Sequence, residues 1–355
     1  MQNFIRFLEQ SDPGPNITVV TTTGMYHQLQ PFAAVHQHVN IKRLGRSGPG
    51  IRRLSRIRSY LAFYLGSIWL LLVKRPRTVF YYETISSFPA YLYKRFIAPR
   101  TNVMIHYHEY SSPAEYAGGM WLTKYFHQLE RWLYPRAEWV SHTNSKRMEL
   151  FMKDIAPVKV ANPEVVPNFP SRDWHRENIA TPGLPMKFVY VGALSMDTMY
   201  TKQMADWIGA QSGQATWDIY SFNITADARK YLQGLQSPWI TLHDGIDYAA
   251  LPAVLCTYHL GVILYTGHIP NYVYNAPNKL FEYINSGLKV WVPIEMVGAV
   301  EYIDGEHVKA VNFSDHSSLK LSAQEGSKHR DVMKAFFAEE VFVGMKDRLL
   351  VTSKK

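Results

Sequence analysis

A single cysteine, Cys256, rules out a disulfide framework or a cysteine-built metal site within this 355-residue chain and fits a reduced compartment. Long hydrophobic runs are also lacking. The longest, YLAFYLGSIWLLLV at 60–73, falls short of the roughly 20 residues that a spanning helix needs, so no membrane crossing is expected. The opening MQNFIRFLEQSDPGP reads as a short helix ended by Pro and Gly, not as the basic-then-apolar order of a signal segment. No Asp-x-Asp pair occurs, and the His36 and His38 of HQH lack a third ligand, so no metal site is expected.

Acidic residues nearly vanish between positions 42 and 100. Thirteen basic residues face Glu83 alone there, a local balance of +12 in a chain whose formal total is +9. The remainder is therefore slightly acidic. Arg52, Arg53, Arg56 and Arg58 beside the apolar run suit docking on an anionic membrane surface through 42–77, on the inner face of a membrane bounding the cytoplasm. A solvated face on a core helix is the alternative. Nucleic acid is not an expected partner, because no reader motif is interleaved with the charge.

What remains is an ordinary globular composition, 47% apolar and 19% charged, without repeats or low-complexity tracts. Strand-like runs alternate with helical patterns: 17–22, 78–83, 102–108 and 139–143, then 187–192, 216–221, 239–244, 259–265, 290–293 and 308–313. Such alternation predicts an α/β chain with parallel sheets covered on both faces. The expected organisation is an N-terminal domain over 1–170, a Pro- and Gly-rich linker at 171–186 and a second domain over 187–330. A C-terminal helix in 331–355 is expected to return to the first domain. In such sheets ligands sit beyond the carboxyl ends of the strands, which here carry His108, Gly192 and Asp244.

The stretch NAPNKLFEYINSGLKVWVP, 275–293, is the most informative. Pro277 suits a first helical turn, Leu280, Phe281 and Ile284 share one helical face, and Gly287 closes the helix before a buried strand. The exposed N-terminus of such a helix offers unpaired N–H groups and a positive dipole to an anion. A plain αβ unit has the same spacing.

Five segments in order, IHYHEY, VVPN, VYVGAL, APNKLFEYINSGLKVWVP and VGAVEYIDGEHVK, resemble the retaining GT-B glycosyltransferases of the group 1, or family 4-like, class. The resemblance implies a GT-B fold, two doubly wound Rossmann-like domains facing a cleft. It further implies transfer of a sugar, with retention and without a metal, from a nucleotide-sugar donor such as a UDP-sugar. The acceptor would be a saccharide or lipid-linked saccharide of cell-surface polysaccharide synthesis. No cofactor is implied, since the nucleotide-sugar is a substrate. By the resemblance Gly192, Lys202, Asn278, Lys279 and Leu280 would bind the donor diphosphate, Glu282 the ribose hydroxyls, and His108 would act catalytically at the acceptor side. His106 is the fallback histidine.

Three departures qualify this pattern. Tyr274 stands where the family places an acidic residue near the donor sugar; either Tyr274, Asn271 or Asn275 meets the sugar differently, or activity is weak. Only Lys202 represents a diphosphate clamp that usually pairs Arg with Lys. The family's first strand and glycine-rich loop have no counterpart ahead of MQNFIRFLEQ, which is expected to leave the first sheet one strand short. A catalytically silent sugar-nucleotide-binding subunit and a GT-B-like sugar-nucleotide epimerase are the alternatives.

Overall fold

The computed structural model describes residues 2–9, 16–24, 39–48, 51–319, 321 and 334–351. His36 and His38 lie outside them. The chain forms two compact units, one of Met1–Thr143, Met148–Val166 and Glu339–Lys355, the other of Asn144–Arg147 and Pro167–Ala338.

In the first unit helix α1, Gln2–Glu9, leads to strand β1, Ile17–Gly24, which pairs in parallel with β2, Val39–Ser47. Helix α2, Arg53–Lys74, follows, and then β3 (Thr78–Tyr82), β4 (Asn102–Tyr107), β5 (Trp139–His142) and β6 (Pro163–Val165), a parallel sheet in that order. Val103, Ile105, Val140, Leu133 and Tyr134 fill its core, all at 0% exposure. The buried Glu130 carboxylate is satisfied by the hydroxyls of Tyr107 and Tyr81, at 2.9 and 3.0 Å. Two strands escape the apolar-run criterion. VNIKRLGRS of β2 carries charge along an open edge, and PEV of β6 is three residues long.

Helix α2 corrects the membrane argument based on run length. The 14 apolar residues extend into a 22-residue helix that is long and apolar enough to span, by length and composition only. Its Tyr64, Ser67 and Leu70 are buried, and the Tyr64 hydroxyl donates to the Ile85 carbonyl at 3.1 Å, so one side of it packs on the unit. Leu54, Ile57, Leu61, Leu65, Trp69 and Leu72 recur at intervals of three and four along the side left exposed.

The second unit holds β7 (Met186–Val191), β8 (Ala215–Ser221), β9 (Ile240–Asp244), β10 (Leu260–Val262), β11 (Lys289–Pro293) and β12 (Val308–Val311). They form one parallel sheet in the order β12-β11-β10-β7-β8-β9. The chain moves outward from β7 to β9, then returns to the other side of β7 to lay down β10, β11 and β12. The order therefore reverses between β7 and β10, the point at which an open α/β sheet leaves a crevice at its carboxyl edge. Phe188, Trp207 and Trp291 pack edge to face at 5.2–5.4 Å on one side of the sheet. Phe281, Leu280 and Tyr283 pack on the other. Within 171–186, Trp174 is buried against Tyr248, ring centroids 4.6 Å apart.

Candidate active site

The helix Asn278–Asn285 begins after Pro277, whose extended backbone makes no side-chain cap. The Leu280 N–H donates to the Pro277 carbonyl at 3.0 Å and its side chain lies in the core, so the outward N–H groups of the first turn are those of Asn278 and Lys279. Tyr283 seats the helix. A Cβ on Gly261 would come within 2.2 Å of its ring, and its hydroxyl accepts the Val191 N–H at 3.0 Å, at the end of β7. Gly287, at φ +76°, ends the helix in a backbone that favours glycine.

Lys279 reaches back over the β7 turn. Its Nζ donates to the hydroxyls of Tyr190, at 3.0 Å, and Tyr265, at 3.3 Å, and stands 4.5 Å from the centre of the Tyr190 ring. Burial works to lower its pKa, but the hydroxyls of Tyr190 and Tyr265, which accept from the ammonium, outweigh burial and hold it above its usual range. Gly192 makes this approach possible. Its φ is +134°, and a Cβ there would lie 2.6 Å from Lys279 Nζ. A buried cation, a helix N-terminus and a glycine turn thus converge at the β7–β10 reversal, a constellation suited to an anionic group.

Glu282 lies one turn inside the helix, 9% exposed, and its carboxylate accepts the Tyr248 hydroxyl at 3.2 Å. Burial raises its pKa to about 7, against the lowering effect of Tyr248 and Lys279. Phe222, 53% exposed at the end of β8, covers Gly245, where a Cβ would come within 2.1 Å of the ring.

Tyr274 and Asn275 cross tightly over Gly298, where a Cβ would meet the Tyr274 carbonyl carbon at 2.3 Å and the Asn275 nitrogen at 2.7 Å. The Asn144 amide donates to the Tyr274 carbonyl at 2.9 Å, and the buried Arg147 guanidinium donates to the Asn271 carbonyl at 3.0 Å. Lys202 is placed differently. Its exposed ammonium pairs with Asp206 four residues on and lies by the Tyr231 ring.

In the first unit His108 is exposed just beyond β4. Glu83 organises its backbone: one carboxylate oxygen accepts the N–H groups of His108, at 2.7 Å, and Glu109, at 3.2 Å. Glu83 sits at φ +60°, in a left-handed backbone that a glutamate rarely adopts, and burial raises its pKa to about 7. His106 is a core residue, with Nδ1 2.9 Å from Ser141 Oγ and a pKa lowered by burial.

The structure thus brings together Gly192, Lys279, Asn278 and Glu282, sets Tyr274 and Asn275 against Gly298, and pairs Lys202 with Asp206. Sequence reasoning missed Tyr190, Tyr265, Tyr248, Arg147 and Glu83. Tyrosines and a buried arginine carry no local motif, and Glu83 was marked only as the lone acid in a basic stretch. Among the described residues no group of three His, Cys, Asp or Glu side chains could hold a metal ion.

No protein-family model matches the chain, and no curated protein matches it in sequence. Solved structures do match. Sucrose-phosphate synthase from Thermosynechococcus elongatus aligns with a TM-score of 0.70 at 15% identity, covering 99% of this chain and 92% of that one. Anabaena HepE, solved in complex with UDP and glucose, aligns at 0.62 and 12% identity over 88% of this chain and 86% of its own. A putative UDP-N-acetylglucosamine 2-epimerase from Listeria monocytogenes aligns at 0.59 and 13% identity, covering 99% and 93%. The chain has the GT-B glycosyltransferase fold, with two Rossmann-like units.

Proposed function

We propose, starting from this shared fold, that the protein transfers a sugar from a nucleotide-sugar donor, a UDP-sugar, to a saccharide or lipid-linked saccharide acceptor. The observation that carries the reading is the Lys279 ammonium held over Gly192 at the N-terminus of a helix whose next turn presents Glu282. The diphosphate of the donor would lie against Lys279 and the N–H groups of Asn278 and Lys279, and the ribose hydroxyls would donate to Glu282. The binding of UDP and glucose named for HepE supports this class of donor. Transfer breaks the bond from C1 to the diphosphate oxygen, which keeps the electron pair. The acceptor oxygen then bonds to C1 on the same face and gives up its proton. Fixed positive charge at the diphosphate stabilises the leaving group without a metal. His108 would orient or move a proton on the acceptor side.

The place of work we propose is the cytoplasmic face of a membrane, in polysaccharide synthesis, with α2 as the peripheral contact. Its exposed apolar side and its leading arginines support that reading. One observation favours a second reading, a silent donor-binding subunit: Tyr274 supplies no carboxylate where the resemblance calls for one.

A thermal-shift panel of nucleoside diphosphates and their sugars tests donor binding, since a ligand of the native state raises the melting temperature. UDP and a UDP-sugar should raise it and AMP should not; no shift with any nucleotide would sink the proposal. Turnover with a glycolipid acceptor separates transferase from silent subunit, and epimerised donor without acceptor would indicate an epimerase.

A further inference from the structure

Of the most apolar 18-residue window of α2 only 17% is buried, so core packing does not account for its apolar side, where Trp69 is 61% exposed. Two other elements leave aromatic rings in water beside it. α2 leads into β3 and the helix Trp121–Leu133 leads into β5, so both helices start at the carboxyl edge of their parallel sheet. The Tyr60 hydroxyl of α2 donates to the Met120 sulfur at 3.6 Å. Next to that contact Trp121, 71% exposed, stacks on Tyr125 one turn on, with ring centroids 5.8 Å apart. α2 also packs against the π-helical turn Tyr93–Ile97, which precedes β4 and leaves Phe96, 67% exposed, and Ile97 outside the core. The surroundings are cationic. Arg53 and Arg56 stand at the start of α2, Lys74 and Arg75 at its end, and Lys124 is exposed beside Tyr125. The acid nearest to Trp121 in sequence, Glu115, is engaged in the capping box of Ser112.

We propose that these three elements form one binding plane for an anionic phospholipid bilayer, in which α2 lies flat among the headgroups while Trp121 with Tyr125, and Phe96 with Ile97, anchor it from two neighbouring elements. Length and composition alone would let α2 cross a membrane. Its buried Tyr64, Ser67 and Leu70 instead hold one side of it on the unit along successive turns, which leaves only the opposite side for lipid. Such a helix, apolar on one side and basic at both ends, suits the boundary between headgroups and acyl chains. Trp and Tyr suit the same depth, because each ring has an apolar body and one polar atom for the wet side. The bilayer must be anionic, since the basic residues around the plane meet a single acid, Glu83, between positions 42 and 100. The inference rests on the membrane contact proposed above for α2, to which it adds the anchors and the orientation, and it does not depend on sugar transfer.

The probe is a vesicle of phosphatidylcholine and phosphatidylglycerol in equal parts, with phosphatidylcholine alone as the neutral control, and partition of the full chain is read by flotation at low salt. The unmodified chain should float with the anionic vesicles only, and about 1 M salt should release it, as it would not release a spanning helix. A Trp121→Ser, Phe96→Ser double variant should keep its native circular dichroism and partition about tenfold or more weakly. Ile179→Ser, an exposed apolar position in the second unit, should change nothing. Acyl chains brominated near the headgroup should quench the tryptophan fluorescence of the bound protein, and Trp121→Phe should lose part of that quenching. This second readout decides if the double variant does not fold. Failure of the unmodified chain to float would overturn the membrane contact of α2 and the plane with it. Binding that the serine changes leave intact, with quenching unaltered in Trp121→Phe, would overturn the plane alone and leave the charges of α2 as the whole contact. Retention on the vesicles at high salt would make α2 a spanning helix, and self-association without lipid that the double variant loses would assign the face to a second copy; either result overturns the proposal.

Discussion

Lys279 Nζ occupies the space beside Gly192 that any larger residue would need: a Cβ there would fall 2.6 Å from Nζ and 2.9 Å from Cε. Strand end and helix N-terminus are therefore matched by one residue without a side chain and one with a long, charged one. The backbone, at φ +134°, demands glycine, and a Cβ there would push the flexible end of the lysine aside.

Gly192→Ala should destabilise the second unit by about 1–3 kcal/mol through backbone strain alone. It should also displace the ammonium and weaken UDP binding. Chemical denaturation and calorimetry of the variant check both; an alanine variant with native stability and affinity would show that the turn and the lysine are unrelated to the ligand.

Lys279→Met should lower UDP affinity more than Lys202→Met, since Lys279 is held at the strand reversal and Lys202 is engaged with Asp206 at the surface. Loss of a charge-assisted bond to the diphosphate corresponds to about 1.5–3 kcal/mol. Calorimetry on both variants ranks them, and the reverse order would reject the assignment to Lys279.

Glu282 predicts a pH dependence. Its pKa is raised by burial from 4.5 to about 7, so the folded state holds a proton that the unfolded state releases. Stability from this group is full below pH 4.5 and falls as pH rises toward 7, by up to about 3 kcal/mol. The Glu282→Gln variant should lack this slope in urea unfolding between pH 4.5 and 8. Ribose hydroxyls donate to the ionised form, so UDP binding near pH 7 should release protons. The binding enthalpy would then differ between phosphate and Tris buffers, and identical enthalpies would count against the ribose role.

His108→Ala should lower transfer by about 10²–10⁴ with little change in UDP affinity. Glu83→Ala should lower transfer as well, because it leaves the His108 and Glu109 N–H groups without their shared acceptor, a cost of about 1–3 kcal/mol. Glu83→Gln keeps an acceptor and should recover most of the rate. Full activity of the alanine variant would remove Glu83 from any positioning role.

Changing Arg52, Arg53, Arg56 and Arg58 to Gln should abolish co-sedimentation with anionic vesicles, at about 1 kcal/mol per charge, and high salt should do the same to the unmodified chain. Equal recovery of both proteins would identify these arginines as a solvated face.

Much of this structure was written locally. The 275–293 stretch shows its helix and strand because a proline start, a helical repeat of apolar residues and a Gly stop are interactions among near neighbours. In the second unit β10 and β11 were visible because both faces are buried, which demands apolar runs, and β8 because buried residues alternate along it. β2 was not: Lys42, Arg43 and Arg46 interrupt any apolar pattern along it, and no local pattern separates that from loop. The site divides the same way. Glu282 was singled out by the resemblance, whereas the open N–H groups of the first turn follow from one helix, so spacing located them. Which lysine meets the β7 turn does not. Lys202 and Lys279 were both expected at the diphosphate, and only the packing of Tyr190 and Gly192 from the end of β7 and of Tyr265 from beyond β10 around one ammonium sets Lys279 apart. Local order was thus determined by the sequence alone, through backbone preference and periodicity. The partners of Lys279 and Glu83 were decided by the tertiary structure, because they depend on contacts among residues far apart in the chain.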